Sequence, residues 1–259
     1  MGEPNAHRFL FYAPLLGESS SVIDLEGEEF HHLSRVLRMS PGEVAYATNG
    51  RGVLARCRVD HLSRRTARLA VLDAEAVAPG PRVWLALALL RKEAFERAVE
   101  QCTELGISGC LPFVSERSHV RRYSPEFMVR LRRIALSAMK QSYRTYLPDV
   151  EDVTGFDDLA VRLRASTRIF LGDSDGAAPA AVLGGSGGAG GEPGPTEAPL
   201  WIVIGPEGGL SADERARLNE AGVRPVRISR NRLRSETAAA ALAAFALSAG
   251  DGIRTVSAD

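Results

Sequence analysis

Residues 8–72 alternate between short apolar runs and polar turns. The runs RFLFY, SVIDL, EVAYAT, GVLARCRVD and TARLAVL are rich in β-branched and aromatic residues, which predicts short strands. Asn49–Gly52 (NGRG) predicts a hairpin turn between two of them. One segment has helical spacing instead, with Phe30, Leu33 and Leu37 on one face, and predicts a helix that ends at Gly42. This region is therefore predicted to form a small β-barrel with one helix.

The rest of the chain alternates strand-like and helix-like segments. Five apolar runs are typical of strands buried on both faces: VWLALALL, SGCLPFV, RIFLG, LWIVI and PVRIS. Helical stripes separate them, and the helix SADERARLNEAG carries a capping box of Ser211 and Glu214. The last helix runs from about Ser235 to Ala249. Because strands alternating with helices form parallel sheets covered on both faces, this region is predicted to be an α/β domain.

Two segments rich in glycine and proline divide the chain. AVAPGPR, residues 76–82, predicts a linker between a β domain at 1–75 and an α/β domain at 83–254. GGSGGAGGEPGPTEAP, residues 184–199, predicts a flexible loop inserted in the second domain. A chain of 259 residues is long enough for two modest domains.

Charge is balanced overall but uneven along the chain. The 32 basic residues match the 32 acidic ones. Between Arg51 and Arg68, however, six arginines face the single acid Asp60. Such basic segments fit an anionic polymer if they converge in space, and a salt-bridged surface if they do not. The pattern leaves both interpretations open.

Several classes of protein are excluded by what the chain lacks. No apolar run is long enough to span a bilayer or to form a signal-peptide core, so we expect a cytoplasmic protein without membrane contact. Three cysteines without a CxxC pair argue against disulfides and structural zinc. His31 and His32 are adjacent and diverge on a helix, so no metal site is predicted.

The segment LWIVIGPEGGLSADE, residues 200–214, joins a strand to a helix through a glycine turn. It matches neither GxGxxG nor the P-loop, which disfavours a phosphate cradle. Gly205, Gly208 and Gly209 would let a ligand approach bare backbone, and Glu207 suits a cation or a ribose. An adenosine ligand with a positive charge, such as S-adenosylmethionine, fits these features. A tight turn without a ligand is the alternative.

A second basic segment, ISRNRLRSETAAAAL, follows the last predicted strand. Arg230, Arg232 and Arg234 precede a helix made mostly of alanine. Small residues let such a helix pack very close to its neighbours. Alone, the segment indicates only a buried terminal helix with an exposed basic loop.

Five motifs in order make the chain similar to a known family over nearly its whole length. HHLSRVLR, EQCTELGISGCLPF, SAMKQSYRTYLPDV, IGPEGGLSADE and LRSETAAAAL resemble the bacterial RsmE-type ribosomal RNA methyltransferases of the SPOUT superfamily. The resemblance implies an N-terminal PUA-like barrel and a C-terminal SPOUT domain whose parallel sheet contains a trefoil knot. It also implies a homodimer with the active site at the subunit interface.

The resemblance places S-adenosylmethionine among three segments of the knot. The residues implied to bind it are Leu171, Gly172, Ile204, Gly205, Glu207, Gly208, Gly209, Ile228, Ser229 and Leu233. The family's last motif reads Leu-Gly-x-Arg-Ile-Leu-Arg. Here Ser229 stands in place of the glycine and Asn231 in place of the first arginine.

The implied reaction is methylation of N3 of a uridine in 16S rRNA, either free or in the assembling small subunit. Arg234 and Arg144 are expected to stabilise charge on the uracil oxygens, and Glu207 or Glu236 to accept the proton. The predicted RNA-binding residues of the barrel are Arg8, His32, Arg35 and Arg38. The alternatives are another SPOUT methyltransferase, acting on tRNA or a ribose 2′-hydroxyl, and a non-catalytic RNA-binding assembly factor.

Overall fold

The computed structural model describes residues 9–166, 168–179 and 198–250, so all but the end of the predicted loop 184–199 lies outside the described residues. The chain divides into two compact units. The N-terminal unit contains Met1–Pro79 and Met139–Leu147, and the C-terminal unit contains Gly80–Ala138 and Pro148–Asp259. Each unit is built around one sheet.

The sheet of the N-terminal unit has the strand order β1-β3-β4-β5-β2. Its strands are β1 (Leu10–Tyr12), β2 (Val22–Leu25), β3 (Val44–Thr48), β4 (Val53–Leu62) and β5 (Ala67–Ala76). β1 pairs parallel to β3, and the other neighbours are antiparallel. Two register shifts between β4 and β5 increase the local twist. The buried faces enclose a core that includes Phe11, Leu25, Leu33, Cys57 and Leu69.

The predicted hairpin turn at Asn49–Gly52 is confirmed. It joins the antiparallel strands β3 and β4. The side-chain oxygen of Asn49 accepts hydrogen bonds from the backbone N–H of Arg51 at 2.8 Å and of Val53 at 3.1 Å. Gly50 and Gly52 have φ values of 71° and 100°, a region that other residues enter only with strain.

The helix of the N-terminal unit is shorter than predicted, and its end at Gly42 is wrong. Helix α1 (Gly27–His31) continues into a π-helical turn, His32–Val36, and stops there. Arg38 then reverses the chain with a φ of 55°. Met39 is buried in the same core as Leu33, so the chain turns inward before it reaches Gly42.

Backbone hydrogen bonds explain why Met139–Leu147 belongs to the N-terminal unit rather than to its neighbours in sequence. The N–H of Leu147 donates to the carbonyl of Gly50 at 2.9 Å, and the N–H of Gly52 donates to the carbonyl of Thr145 at 3.0 Å. An added Cβ at Gly52 would come within 2.2 Å of the Tyr146 hydroxyl. The segment therefore closes over the NGRG turn.

The C-terminal unit is the predicted α/β structure. Its strands are β6 (Val83–Ala88), β7 (Gly109–Val114), β8 (Asp149–Val150), β9 (Thr154–Gly155), β10 (Ile169–Ala177), β11 (Leu200–Ile204) and β12 (Arg224–Val226). The described helices are α2 (Lys92–Leu105), α3 (Pro125–Gln141), α4 (Phe156–Leu163), α5 (Ala212–Glu220) and α6 (Ser235–Gly250). α3 ends in the segment assigned to the N-terminal unit.

The strand order of the second sheet is β12-β10-β11-β6-β7-β8, and its pairings are parallel. β11 lies between β10 and β6, and β12 lies beside β10. Regular pairing of β10 with β11 and β12 stops at Leu171 and Gly172. This point of β10 and the carboxyl ends of β11 and β12 therefore meet at one edge of the sheet, where open α/β sheets bind ligands. Gly176 makes the pairing of β10 with β12 possible, since an added Cβ there would lie 2.5 Å from the backbone nitrogen of Val226. The trefoil knot stays a prediction.

The described residues contain neither a helix able to span a membrane nor a cluster able to hold a metal ion. None of the helices in these ranges combines the length and apolar character needed to cross a bilayer. Within the same ranges, His, Cys, Asp and Glu side chains do not gather into a group able to hold a metal ion.

Candidate active site

A cavity of about 700 Å³ opens where β10, β11 and β12 end. Residues 171–174, 204–210 and 226–235 line it, together with Arg215 and Ala238. We call Gly205–Gly209 the glycine turn and Arg227–Arg234 the arginine loop. The lining includes all ten residues that the sequence assigned to cofactor binding, from Leu171 in the first segment to Leu233 in the last. Tertiary structure thus brings three distant motifs to one place.

The glycine turn is shaped by its backbone. The N–H of Gly209 donates to the carbonyl of Pro206 at 2.8 Å, and Gly209 has a φ of 70°. The predicted capping box follows: Glu214 N–H donates to the Ser211 hydroxyl at 3.3 Å, and Ser211 N–H to the Glu214 carboxylate at 2.9 Å. α5 therefore begins immediately beyond the turn and holds its far end.

Glu214 does more than cap the helix. Its side chain is buried, with 4% of the residue exposed. It accepts hydrogen bonds from the Ser115 hydroxyl at 3.0 Å and from the backbone N–H of Glu116 at 2.9 Å. The carboxylate thus ties α5 to the loop after β7, and its hydrogen bonds replace the water that it loses on burial.

Two hydrogen bonds join the arginine loop and the start of α6 to the glycine turn. Arg232 donates through Nη2 to the carbonyl of Glu207 at 3.0 Å. The hydroxyl of Ser235 donates to the carbonyl of Gly205 at 3.0 Å. Sequence reasoning missed Ser235, and the only signal was its place directly after Arg234 at the start of the alanine-rich helix.

The two departures from the family motif form one local structure. The hydroxyl of Ser229 accepts a hydrogen bond from the backbone N–H of Asn231 at 3.0 Å. This is the local turn that serine favours in loops. The serine in place of glycine therefore stabilises the bend of the arginine loop.

The cavity contains two acidic residues of opposite character. Glu207, which the sequence singled out, is exposed. Asp173, which the sequence missed, has a side chain only 4% exposed and forms an ion pair with Arg215 of α5. Its position directly after the predicted strand RIFLG was the signal that would have identified it.

Two residues predicted to be catalytic lie elsewhere. Glu236 does not line the cavity: it is 8% exposed and pairs with Arg97 Nη2 at 3.0 Å. Arg144 belongs to the N-terminal unit, where burial lowers the pKa of its guanidinium to about 10. By contrast, Arg234 and Glu207 both line the cavity.

The predicted RNA-binding residues of the N-terminal unit differ in exposure. Arg8 lies outside the described residues, whereas Arg35 and Arg38 are exposed. His32 is half-buried with its ring centroid 5.9 Å from that of Phe11, and burial lowers its pKa, with a further lowering by the charge of Lys140. A partly packed histidine is a weaker candidate for phosphate contact than the two arginines.

The basic segment between Arg51 and Arg68 carries less free charge than its sequence indicates. Arg56 pairs with Asp73 at 2.8 Å, and Arg68 makes two hydrogen bonds to Asp24 at 2.9 and 3.1 Å. The pairing lowers the pKa of the Asp24 carboxyl. The salt-bridged interpretation therefore holds for these two arginines.

Comparison with known proteins identifies the class of protein. The family model described as an RNA methyltransferase domain matches residues 78–247, and that of an RNA methyltransferase PUA domain matches residues 25–72. The class is therefore an RNA methyltransferase with a PUA domain.

Curated relatives narrow the class. The chain is 34% identical to ribosomal RNA small subunit methyltransferase E of Mycobacterium bovis, over 89% of this chain and 88% of that protein. It is 29% identical to the protein of the same name from Bacillus subtilis, over 85% of this chain and 88% of the relative. The chain belongs to the ribosomal RNA small subunit methyltransferase E family, which confirms the resemblance found in its motifs.

Solved structures confirm the fold class. A ribosomal RNA small subunit methyltransferase E from Neisseria gonorrhoeae, bound to S-adenosyl methionine, matches with a TM-score of 0.77 at 24% identity, over 92% of this chain and 96% of that one. A protein from Porphyromonas gingivalis described as a probable rRNA-methyltransferase matches with a TM-score of 0.75 at 29% identity, over 95% of this chain and 100% of the other.

Proposed function

We propose that this protein transfers the methyl group of S-adenosylmethionine to N3 of a uridine in 16S rRNA during maturation of the small ribosomal subunit. The observation that carries the proposal is the cavity at the ends of β10, β11 and β12. It unites the three segments that the resemblance implies to bind S-adenosylmethionine, and Arg234 and Glu207 both line it. We further propose that the protein acts in the cytoplasm, where the subunit is assembled.

The residues of the cavity fit this cofactor. Gly172 and Gly205 line the cavity without side chains, so bare backbone forms part of the wall. Neither position has room for a Cβ, which would lie 2.6 Å from Ile204 Cδ1 at Gly172 and 3.2 Å from Leu210 Cγ at Gly205. The exposed carboxylate of Glu207 suits a ribose or a positive charge, whereas that of Asp173 is already paired with Arg215. When bound, S-adenosylmethionine supplies a methyl group already activated by its sulfonium centre.

Arg234 is the residue we assign to the uracil oxygens. N3 of neutral uracil is a poor nucleophile, and its loss of a proton places negative charge on O2 and O4. A guanidinium in a partly enclosed cavity stabilises that charge more strongly than water does. Arg234 lines the cavity, and its side chain has no ion-pair partner within the part of the chain that the structure describes.

Glu207 is the better of the two proposed proton acceptors. Its carboxylate lies in the cavity and is exposed, whereas the carboxylate of Glu236 is held by Arg97. A general base has to reach the proton directly or through one water, which favours the accessible group.

The homodimer and the role of Arg144 come from the family resemblance. We propose that Arg144, from the same chain or from a second copy, acts on uracil together with Arg234. Mixing Arg144→Ala protein with Arg234→Ala protein tests this. If a second copy supplies Arg144, mixed dimers regain part of the activity that each variant lacks. Full activity of Arg144→Ala alone contradicts its assignment.

The N-terminal unit is proposed to hold the RNA backbone, with Arg35 and Arg38 as contacts and little preference for base. Support comes from their exposure and from the match to the PUA domain model. An Arg35→Ala/Arg38→Ala variant is a better test than deletion of residues 1–75. Deletion would strip Met139–Leu147 of the unit on which it packs.

The function itself is tested by three measurements on the full chain. Calorimetry with S-adenosylmethionine is expected to show binding, and single-turnover assays to show transfer to small-subunit rRNA. Mass mapping of 16S rRNA from a deletion strain is expected to show one unmethylated uridine N3. Absence of cofactor binding favours a non-catalytic assembly factor. Loss of a tRNA or ribose 2′-O methyl group instead favours a different SPOUT methyltransferase.

A further inference from the structure

The cavity contains more positive charge than its proposed cofactor explains. Five arginines and two acids line it, and the arginines are Arg215, Arg227, Arg230, Arg232 and Arg234. S-adenosylmethionine itself carries a sulfonium cation, which unpaired guanidinium groups repel. Cationic side chains that do not serve the cofactor are therefore available to a second, anionic ligand.

Three of the five arginines already have a role. Arg215 forms an ion pair with Asp173, and Arg232 donates to the carbonyl of Glu207. Arg234 is assigned to the uracil oxygens under the proposed function. That assignment leaves Arg227 and Arg230 to be explained.

Arg227 and Arg230 are both exposed at the cavity. Over the described ranges 9–166, 168–179 and 198–250, neither side chain has an ion pair or hydrogen bond. They differ in this respect from the arginines of the N-terminal sheet, Arg56 and Arg68, which pair with acids. An exposed guanidinium keeps its donors free for an incoming ligand and matches the oxygens of a phosphate in a fork.

Local hydrogen bonds fix the backbone that carries Arg227 and Arg230. The N–H of Arg227 donates to the carbonyl of Ala177 at 2.9 Å, which anchors the start of the loop to β10. The Ser229–Asn231 bond then bends the chain around Arg230. Since three residues span at most about 10 Å, the Cα atoms of Arg227 and Arg230 lie within that distance, and both residues line the same cavity.

We propose that Arg227 and Arg230 form a phosphate-binding pair that holds the RNA backbone beside the target nucleotide. This inference rests on the proposed function. It adds a contact in the C-terminal unit to the general backbone binding expected of the N-terminal unit. Arg227 precedes the segment that aligns with the family motif, and Arg230 stands at the motif's unspecified position.

The test compares two double variants of the full chain. Arg227→Ala/Arg230→Ala removes the pair. Arg133→Ala/Arg164→Ala removes two exposed arginines that do not line the cavity. Binding to small-subunit rRNA is measured by filter retention over a range of salt, and cofactor binding by calorimetry. Neither measurement requires methyl transfer. The phosphate-binding role of Arg227 and Arg230 is therefore tested even if the proposed reaction does not occur.

We expect the first variant to lose about tenfold or more in RNA affinity, since hydrogen bonds to charged groups are the stronger ones. The slope of log K against log salt should become shallower by about 0.7 for each single-strand phosphate that the variant no longer neutralises. Affinity for S-adenosylmethionine should stay within about twofold of the wild type, because neither arginine is assigned to the cofactor.

Replacement by lysine separates charge from geometry. Arg227→Lys/Arg230→Lys should keep the salt dependence but lose part of the affinity, because lysine has no fork. RNA affinity and salt dependence equal to those of the Arg133/Arg164 control would overturn the proposal. Weakened cofactor binding with normal RNA binding in the Arg227→Ala/Arg230→Ala variant would also overturn it, because the two arginines would then belong to the cofactor site.

Discussion

The glycine turn and the arginine loop line the same cavity by opposite means. In the glycine turn, backbone atoms face the cavity, and the hydrogen bond from Gly209 N–H to the carbonyl of Pro206 closes the turn. Buried Glu214 fixes the start of the helix that follows it. The loop presents exposed guanidinium groups and is bent by the weaker Ser229–Asn231 contact. The glycine turn therefore contributes mainly shape to the cavity, and the arginine loop contributes mainly charge. A neutral substitution in the turn should act on the cofactor, and a charge change in the loop should act on the RNA.

The largest effect is expected in the arginine loop. Arg234→Ala should lower the single-turnover rate of methyl transfer by about 100-fold or more, because it removes a donor to developing negative charge. Cofactor affinity, measured by calorimetry, should change little. Arg234→Lys keeps the charge and should recover part of the rate. A near-normal rate for Arg234→Ala at saturating cofactor would remove this residue from the mechanism.

The support of the glycine turn should give the next largest effect. Both oxygens of Glu214 accept hydrogen bonds from backbone N–H groups, so an amide cannot satisfy them all. Glu214→Gln should therefore lower the free energy of unfolding by about 1–3 kcal/mol and weaken cofactor binding. Glu220→Gln, an exposed change on the same helix, is the control for denaturant unfolding and calorimetry. Equal behaviour of the two variants would show that the network does not hold the turn.

Substitutions at two glycines distinguish the effect of backbone strain from the effect of blocking the cofactor. Gly209 and Gly222 have φ values of 70° and 76°, but only Gly209 lines the cavity. Alanine at either position should cost about 1 kcal/mol in unfolding free energy, from the left-handed backbone. Only Gly209→Ala should also weaken S-adenosylmethionine binding. If both variants bind the cofactor equally well, close approach of the cofactor to the backbone of Gly209 does not determine its affinity.

The smallest effect should come from the bond that joins the two walls. Arg232→Ala removes the hydrogen bond to the Glu207 carbonyl, which is exposed to solvent. A net loss of about threefold in cofactor affinity is expected from one exposed hydrogen bond. A loss of RNA affinity as large as that of the Arg227/Arg230 variant would instead place Arg232 with the phosphate-binding pair.

Local chemistry made much of the structure predictable. The NGRG turn, the Ser211–Glu214 capping box and the strands β6, β7 and β11 depend on residues a few positions apart. Glycine positions and apolar periodicity encode such features directly. The cofactor motifs could also be recognised in the sequence, because each consists of residues that follow one another along the chain. The early end of the helix at Val36 was not, since it depends on Met39 packing in the core.

The sequence by itself determined most of the strands and helices, the division into a β region and an α/β region, the motifs and, through them, the family. Only the tertiary structure decided which residues meet. It paired Asp173 with Arg215 and assigned Met139–Leu147 to the N-terminal unit. It also joined Glu236 to Arg97, which favours Glu207 as the proposed proton acceptor. The physical reason is that partners far apart in sequence are selected by strand order and packing. A charge pattern along the chain does not reveal which arginines will find an acid and which will remain free for a phosphate.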